Sequence, residues 1–255
     1  MTVGVSVVLL TLNSARHLRA CLDGLTWAEE IVALDGGSTD DTLAILAASP
    51  ARVYPQPLDL IRAHRGNFDV ARNAGFALAT QPWVLVVDAD EVVSPALRDE
   101  IQGVVAGPPN VAYDIPRVNL FLGRPSRILG DDLQLRLFPT GAARYEGMHL
   151  DARPSVSCPV ARLREPLVHH QGDSLRQLLT KLRSRATQRA QVLIDDPRAE
   201  HRNAVSEFYW HFRYYYREQG RLEGLRGIGL SALYAAYPAL TQATARRLAQ
   251  ARKAE

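Results

Sequence analysis

Length, composition and charge set the first bounds on this protein. The chain has 255 residues, 47% of them hydrophobic and 22% charged, which is enough to bury a sizeable core in one large α/β domain or in a domain with an appendage. Its formal net charge of +3 suits an anionic ligand or membrane surface but is too small to indicate nucleic-acid binding. The two cysteines, Cys21 and Cys158, lack CxxC spacing, which argues against a disulfide framework and a structural zinc site.

The apolar segments give an expectation about location. The chain begins directly on a strand-like run, Val5 to Leu10, with no basic segment before it, so we expect no signal peptide. The best candidate for a membrane span, Ile228 to Leu240, is too short to cross a bilayer. The sequence therefore predicts a cytoplasmic protein, and the low cysteine content agrees with a reducing compartment.

Strand and helix patterns alternate up to about residue 106. Continuous apolar runs are typical of strands buried on both faces of a parallel sheet, and they occur at residues 5–10, 31–34 and 83–87, while residues 52–54 are a further candidate strand. Helical spacing follows each run. This alternation predicts an α/β fold with helices flanking a mainly parallel central sheet, and ligands of such sheets bind beyond the carboxyl ends of the strands.

Local signals predict how some of these elements begin and pack. Ser38, with Asp41 three residues on, has the spacing of a capping box, and Ser94 precedes a proline at a favoured first helical position. The stretch through Pro55, Pro57 and Gly66 predicts a loop.

Small residues mark one face of the predicted helix 68–79. Ala71, Gly75 and Ala79 recur at every fourth position, which predicts that another element approaches this face closely. The pattern then changes: residues 111–168 contain short extended pieces, including 134–138, and the chain is mostly helical from Ser174 onward.

An acidic tripeptide follows the fourth strand. In Asp88-Ala89-Asp90, two carboxylates two residues apart can reach one hard cation from a short turn, and that cation could bridge two phosphate oxygens. The alternative is that the acidic residues simply cap the end of a strand, and the tripeptide alone does not decide between the two.

The motifs along the first half form an ordered set. Thr11-Leu12-Asn13, the segment 35–42 (Asp-Gly-Gly-Ser-Thr-Asp-Asp-Thr), the segment 71–75 (Ala-Arg-Asn-Ala-Gly) and the segment 88–91 (Asp-Ala-Asp-Glu) stand in this order. The set resembles the inverting GT-A glycosyltransferases of family 2, over roughly residues 3–106. The segments 135–138 and 147–149, with a later His before a helix that carries Lys181, resemble the lipopolysaccharide-core glucosyltransferase-like subgroup.

The resemblance implies roles for the donor side of the site. Thr11 and Asn13, with the neighbouring backbone, would line the nucleotide pocket. Asp35 would accept a hydrogen bond from the imide N–H of a uracil-like base, whereas its alternative role is a turn-forming Asx residue. Arg72 would lie near the base or the phosphates, and Asp88 would contact the ribose, or the metal through water.

The resemblance also implies a metal and a general base. Mn²⁺ or Mg²⁺ would bind directly to Asp90, with His149 as a further candidate ligand. Inversion needs a carboxylate that takes the proton from the acceptor hydroxyl. The subgroup has a His-Glu pair where this chain reads His149-Leu150-Asp151, so Asp151 is the first candidate, Asp132 its rival and Asp131 a third choice.

The implied organisation is a GT-A catalytic domain over residues 1–170 and a helical extension over 171–255. Residues 1–106 would bind the nucleotide sugar, with a UDP-sugar favoured, and residues 107–170 would supply the acceptor and base half. The expected acceptor is a glycan or a lipid-linked glycan of cell-envelope polysaccharide synthesis, such as lipopolysaccharide.

Two features of the second half have alternatives. The aromatic helix 208–216, with Arg213 and Arg217, and a tail with Arg246, Arg247, Arg252 and Lys253 would suit a peripheral contact with the inner membrane; the alternatives are packing on the catalytic domain or a dimer contact. The pair His169-His170 is a candidate phosphate contact or a loop pair without a role.

Two other functions fit part of the pattern. A haloacid-dehalogenase-type phosphohydrolase also places Asp-x-Asp after a buried strand, as in Asp88 to Val92, but that motif normally opens its domain. A non-catalytic nucleotide-sugar-binding protein would keep the fold and lose the base.

Overall fold

The computed structural model describes residues 4–63, 68–128, 132–146, 153–172, 174–195, 203–218 and 220–254. Three of the predicted site residues, Asp131, His149 and Asp151, lie outside these ranges.

Strands and helices alternate first, and strands then dominate until the C-terminal helices. The strands are β1 (Val5–Thr11), β2 (Glu30–Asp35), β3 (Arg52–Pro55), β4 (Trp83–Asp88), β5 (Glu91–Val92), β6 (Ala112–Phe121), β7 (Arg124–Pro125), β8 (Asp132–Pro139), β9 (Ala143–Arg144), β10 (Ser155–Val156), β11 (Val160–Arg162) and β12 (Leu167–Gly172). The α-helices are α1 (Ala15–Asp23), α2 (Thr42–Ala47), α3 (Leu58–Ala63), α4 (Asp69–Leu78), α5 (Pro95–Val105), α6 (Leu175–Asp195), α7 (Ala204–Glu218) and α8 (Gly224–Ala254).

The main sheet combines a parallel half and an antiparallel half. Its strand order is β3-β2-β1-β4-β8-β6-β12-β5, and the first four strands are parallel, as predicted. Strand β8 then runs antiparallel to β4, and β6 antiparallel to β8. The predicted α/β class is therefore confirmed.

Strand register brings the first acidic motifs to one edge. Thr11 pairs with Asp35 across β1 and β2, and Leu10 pairs with Asp88 across β1 and β4. Because parallel strands end at the same edge of a sheet, the residues that follow β1, β2 and β4 meet there.

Alternation along β1 divides the core between the two faces of the sheet. Val7 and Leu9 point into an apolar cluster that includes Leu18 of α1 and Leu97 of α5. Val8 points the other way, into a second cluster in which partly buried residues of α4 take part. Successive side chains of a strand point to opposite faces, so one buried strand serves both layers.

The small-residue face of α4 lies against the sheet, as predicted. Ala71 is fully buried, and a Cβ built on Gly75 would lie 2.4 Å from Val8 Cγ1 and 2.9 Å from Leu34 Cδ1. A side chain at position 75 would therefore displace core residues of β1 and β2.

Two local predictions were wrong. Helix α3 occupies part of the stretch that we interpreted as loop, because proline breaks helix interiors but suits a helix start, and Pro57 immediately precedes α3. The capping box at Ser38 does not form: the N-cap of α2 is Asp41, and Ser38 Oγ instead donates to Asp35 Oδ1 at 2.6 Å. The cap at Ser94 is confirmed, since its side chain accepts from Leu97 N at 3.1 Å.

The chain forms two compact units. The first contains the described residues between 4 and 118 and between 132 and 170, whereas the excursion 119–128 belongs with the C-terminal helices in the second. The apolar cluster of the second unit joins this excursion to α6 and α8 through Phe121, Leu178 and Tyr234. Among the described residues, no helix combines the length and apolarity that a membrane span requires.

Candidate active site

The loop after β2 is closed by the side chain of Asp35. Its Oδ1 accepts hydrogen bonds from Thr11 Oγ1 at 2.9 Å and Ser38 Oγ at 2.6 Å. Its Oδ2 accepts from the backbone N–H groups of Gly37 and Ser38, both at 2.8 Å. Burial by itself raises the pKa of Asp35, but these hydrogen bonds outweigh it and lower the pKa below the ordinary range.

These four hydrogen bonds fill the lone-pair positions of the Asp35 carboxylate. The structure thus shows the turn-forming role, and a base N–H would have to displace one of the present donors. The base-reading role of Asp35 stays a prediction.

Asn13 ties the end of β1 to the same loop. Its backbone has a positive φ of 49°, its N–H donates to Ser38 Oγ at 2.8 Å, and its Oδ1 accepts from Thr39 N at 2.8 Å. Asparagine tolerates this left-handed conformation better than most residues. Thr11 and Asn13 therefore brace the loops at the sheet edge, and direct contact of either with a nucleotide remains a prediction.

Asp88, at the end of β4, is held by two arginines. Its Oδ2 accepts from Arg136 Nη2 at 2.7 Å, and its Oδ1 lies 3.5 Å from Arg72 Nη2. Burial by itself raises the pKa of Asp88, but the guanidinium charges of Arg136 and Arg72 outweigh it and hold that pKa far below the ordinary range. Asp88 is therefore ionised at neutral pH.

Behind Asp88, buried charges of alternating sign continue across the sheet. Arg136 Nη2 also donates to Glu91 Oε1 at 3.2 Å, and Arg117 Nη1 donates to the same oxygen at 3.2 Å. Glu91 is fully buried, and its Oε2 accepts from Asp88 N at 2.9 Å, which fixes the turn between β4 and β5. Arg117 then pairs with Asp132, the residue opposite it across β6 and β8.

Asp132 is thus engaged on both of its carboxylate oxygens. Oδ2 accepts from Arg117 Nε at 2.7 Å, and Oδ1 accepts from Gln134 Nε2 at 2.6 Å. An acceptor hydroxyl would therefore compete with Arg117 and Gln134 for the oxygens of Asp132. The role of Asp132 as general base stays a prediction.

Arg72 lies between two carboxylates beside the turn after β4. It projects from α4 between Asp69 and Asp88, with Nη1 3.4 Å from Asp69 Oδ1, and its guanidinium lies 5.3 Å from the ring centroid of Tyr145. Its Nε is buried without a hydrogen-bond partner among the described residues. The neighbouring Asn73 anchors the helix by exchanging hydrogen bonds with the Tyr145 backbone at 2.7 and 2.9 Å.

Asp90 faces a histidine that sequence reasoning left without a firm role. His169 Nε2 lies 3.6 Å from Asp90 Oδ1, and the backbone N–H of His170 donates to Asp90 O at 2.8 Å. His169 and His170 belong to β12, whose pairing with β5 sets His169 opposite Glu91, so the prediction of a loop pair was wrong. The ring of His170 stacks on His17 of α1, with centroids 4.5 Å apart.

A divalent cation fits the donor set at this turn. The side chains of Asp88 and Asp90 are 27% and 28% exposed, and the Asp90 carboxylate lies beside the His169 imidazole. The described residues contain no group of three or more His, Cys, Asp or Glu placed to hold a metal ion. Mg²⁺ and Mn²⁺ commonly bind one or two carboxylates together with substrate phosphates, so a carboxylate beside an imidazole is compatible with either ion.

The sequence did not predict the partners of three site residues, Arg136, Glu91 and His169. Each partnership depends on pairing between distant strands: β8 against β4, and β12 against β5. One local signal existed for Arg136, because a charged residue inside the apolar run of β8 is buried and therefore needs an anionic partner. Cys21, predicted to be a buried thiol, is buried, and burial raises its pKa.

The fold and the site together are those of a nucleotide-binding α/β enzyme. The polar loops after β1 and β2 and a partly exposed carboxylate after β4 share the carboxyl edge of a parallel sheet, which is where such enzymes bind nucleotides.

Comparison with known sequences gives the family. The profile of Glycosyl transferase family 2 matches residues 6–139, more than half of the chain, and the chain belongs to this family. It is a glycosyltransferase with a GT-A fold that takes a sugar from a nucleotide-sugar donor. This result replaces the phosphohydrolase interpretation of Asp88.

The chain is similar to several individual proteins. An uncharacterised glycosyltransferase of Rickettsia conorii is 24% identical over 252 residues, covering 92% of this chain and 87% of the relative. The lipopolysaccharide core biosynthesis glycosyltransferase LpsC of Rhizobium meliloti is 29% identical over 151 residues, covering 56% and 53%. The crystal structure of S. aureus TarS 1–349 in complex with UDP is 14% identical, with a TM-score of 0.49 and coverage of 96% and 91%.

Proposed function

We propose that this glycosyltransferase is metal-dependent and inverting, and that it moves a sugar from a UDP-sugar to a glycan or lipid-linked acceptor in cell-envelope polysaccharide synthesis. The observation that carries the proposal is the partly exposed Asp90 carboxylate beside His169 at the carboxyl edge of the sheet. The envelope acceptor is supported by the partial likeness to a lipopolysaccharide core enzyme.

Asp90 and His169 would hold the cation, Mn²⁺ or Mg²⁺. Asp88 acts differently, because Arg136 and Arg72 already occupy its oxygens. Bound to Asp90 and His169, the cation would neutralise charge on the leaving diphosphate. We therefore assign the direct contact to Asp90 and a supporting role to Asp88. The predicted ligand His149 lies outside the described residues.

Arg72 would supply positive charge to the donor. Its guanidinium is 21% exposed and is shared between Asp69 and Asp88. A fixed cation placed before the reaction stabilises charge that develops on a leaving group without reorganisation, which is an efficient form of catalysis. Pairing with the two carboxylates fixes Arg72 in place.

For the general base we propose Asp151 rather than Asp132. Asp132 already accepts hydrogen bonds from Arg117 and Gln134, one on each carboxylate oxygen, so an acceptor hydroxyl would have to displace one of them. Asp151 lies outside the described residues, so the argument for it is its place in the sequence, two residues after His149. The base would take the proton from the acceptor hydroxyl while that oxygen attacks the anomeric carbon in line.

Transfer from UDP-sugars, measured with and without Mn²⁺, tests the proposal. We expect Asp90→Ala to abolish metal-dependent turnover and to leave the folded structure intact by circular dichroism. Asp99→Ala is the matched control, because Asp99 is an exposed residue of α5 that pairs only with Arg98 among the contacts described here. Full activity in Asp90→Ala would refute the assignment.

The same assay separates the two candidate bases. Asp151→Asn should lower kcat by about 100-fold or more, the range expected when a general base is lost. Asp132→Asn should lower kcat less, since the amide still accepts from Arg117. The opposite ranking would make Asp132 the base. Donor binding without turnover in the unaltered chain would support a non-catalytic binding protein instead.

A further inference from the structure

Helix α7 is held on one side and open on the other. Tyr215 packs against Tyr234 of α8, with ring centroids 5.9 Å apart, beside the apolar cluster of the second unit. On the open side, Tyr209, Trp210 and Tyr214 are 54%, 61% and 61% exposed. Rings that take part in the packing of an amphipathic helix are normally buried, so these three rings lie outside the packing within the second unit.

The exposed rings share their side of the helix with two arginines. Tyr209 and Arg213 are four residues apart, as are Trp210 and Tyr214, and Arg217 follows Tyr214 by three. Side chains three and four residues apart are neighbours on a helix surface. We call these five residues the aromatic–arginine face of α7.

Two acidic residues of α7 border this face. Glu207 precedes Trp210 by three residues, but its side chain is only 12% exposed and lies 3.5 Å from His211 Nδ1. Glu218, the last residue of the helix, is exposed and stands about 40° from Tyr214 and about 140° from Arg213 around the axis, from the 3.6-residue turn. With two arginines against one exposed carboxylate at its end, the face keeps a net positive charge as well as its aromatic rings.

We propose that the aromatic–arginine face docks this chain on a bilayer that contains anionic phospholipid. Tryptophan and tyrosine favour the interface of a membrane, where the ring is apolar and its polar atom stays hydrated. Arginines beside them attract anionic headgroups, and a helix with this pattern lies in the plane of the interface. The contact is peripheral, and it does not depend on the proposed reaction.

Co-sedimentation with vesicles tests the docking, using the full chain and no nucleotide sugar. We expect binding to vesicles of phosphatidylcholine with phosphatidylglycerol and much weaker binding to phosphatidylcholine alone. Arg213→Gln with Arg217→Gln should weaken binding by about 30-fold, since each arginine near an anionic surface contributes about fivefold. Trp210→Ser with Tyr214→Ser should weaken it by at least about tenfold.

Arg183→Gln with Arg185→Gln is the matched control. Both residues are exposed on α6, so this double variant loses the same charge elsewhere in the helical unit. It should retain most of the binding, and circular dichroism should show native helix content in all variants. Equal weakening in the two arginine double variants would mean diffuse electrostatics and would overturn the proposal.

Three further results would also overturn it. They are no binding to the anionic vesicles, equal binding to both vesicle types, and a dimer of the unaltered chain that Trp210→Ser with Tyr214→Ser converts to a monomer in ultracentrifugation. The last would make the face a contact between two copies. None of these results bears on turnover, so failure of the docking and failure of the proposed reaction remain distinguishable.

Discussion

At the scale of single residues, the acidic turn after β4 depends on a buried arginine. Arg136 is 4% exposed, and its Nη2 donates to both Asp88 and Glu91. Burial by itself lowers the pKa of Arg136, but the two carboxylates outweigh it and keep the pKa above its ordinary value. Removing the guanidinium would leave the negative charges of Asp88 and Glu91 close together with less positive charge to balance them.

We therefore expect Arg136→Met to lower the free energy of unfolding by about 3 kcal/mol, as breaking one side of a buried ion pair does. Urea unfolding at neutral pH measures the change. Arg98→Met is the control: its exposed pair with Asp99 should contribute less than about 1 kcal/mol. Equal changes in the two variants would mean that the alternating charges behind Asp88 contribute no special stability.

Residue-scale prediction of position depended on local signals. Asp88 and Asp90 stand out in the sequence because two carboxylates directly follow a buried strand, and register places Asp88 at the shared edge, while the roles of both residues stay predictions. The partners of these residues could not be found, because Arg136 reaches Asp88 only through the pairing of β8 with β4. Nor does the sequence show that the Asp35 carboxylate accepts hydrogen bonds from residues of its own loop.

At the scale of elements, α4 packs on the sheet through a glycine. Gly75→Ala should destabilise the protein by about 1–3 kcal/mol, because its methyl group would overlap Val8 and Leu34. This outcome opposes intrinsic helix propensity, which favours alanine by about 1 kcal/mol. Gly103→Ala in α5 is the matched control, since its Cβ would meet nothing within 4 Å, and it should stabilise. Stabilisation by both changes would contradict close packing at position 75.

The opposite edge of the sheet is joined by a carboxylate with a lowered pKa. Glu30 Oε2 accepts from Ser6 Oγ at 2.5 Å and Thr80 N at 2.8 Å, and Glu30 also pairs with Arg52. Burial by itself raises the pKa of Glu30, but these hydrogen bonds and the charge of Arg52 outweigh it. A carboxylate whose pKa is lower in the folded state stabilises the fold at pH values above its pKa in the unfolded chain. This stabilisation is lost as the pH falls through the pKa of the folded state.

Glu30→Gln should therefore destabilise the protein at pH 7 and have a smaller effect at acid pH. The difference from the unaltered chain should begin to shrink below about pH 4.3, the ordinary glutamate pKa. Urea unfolding at several pH values measures the difference. A constant difference across that range would mean that the charge of Glu30 does not contribute.

Element-scale prediction followed the same rule of locality. The parallel strands β1, β2 and β4 were predictable because strands buried on both faces are continuous apolar runs. Helix α3 was missed because the prolines before it were interpreted as signs of a loop. Strand β12 was missed because its mixed polar and apolar residues, with two adjacent histidines, form no such run.

At the scale of the whole molecule, ligand binding should be visible as stability. UDP with Mn²⁺ binds only the folded chain in our proposal, so at about one hundred times Kd it should add about 2.7 kcal/mol and raise Tm by several degrees. Asp90→Ala should remove the dependence of this shift on Mn²⁺. Asp35→Asn tests whether Asp35 reads the base. If it does, the variant should be stabilised less selectively by UDP over other nucleoside diphosphates; if Asp35 only closes its loop, the selectivity for UDP should not change.

Differential scanning fluorimetry measures the Tm shifts of the unaltered chain and of both variants. A Tm shift of the unaltered chain with neither UDP nor any other nucleoside diphosphate would contradict a donor site at this edge of the sheet.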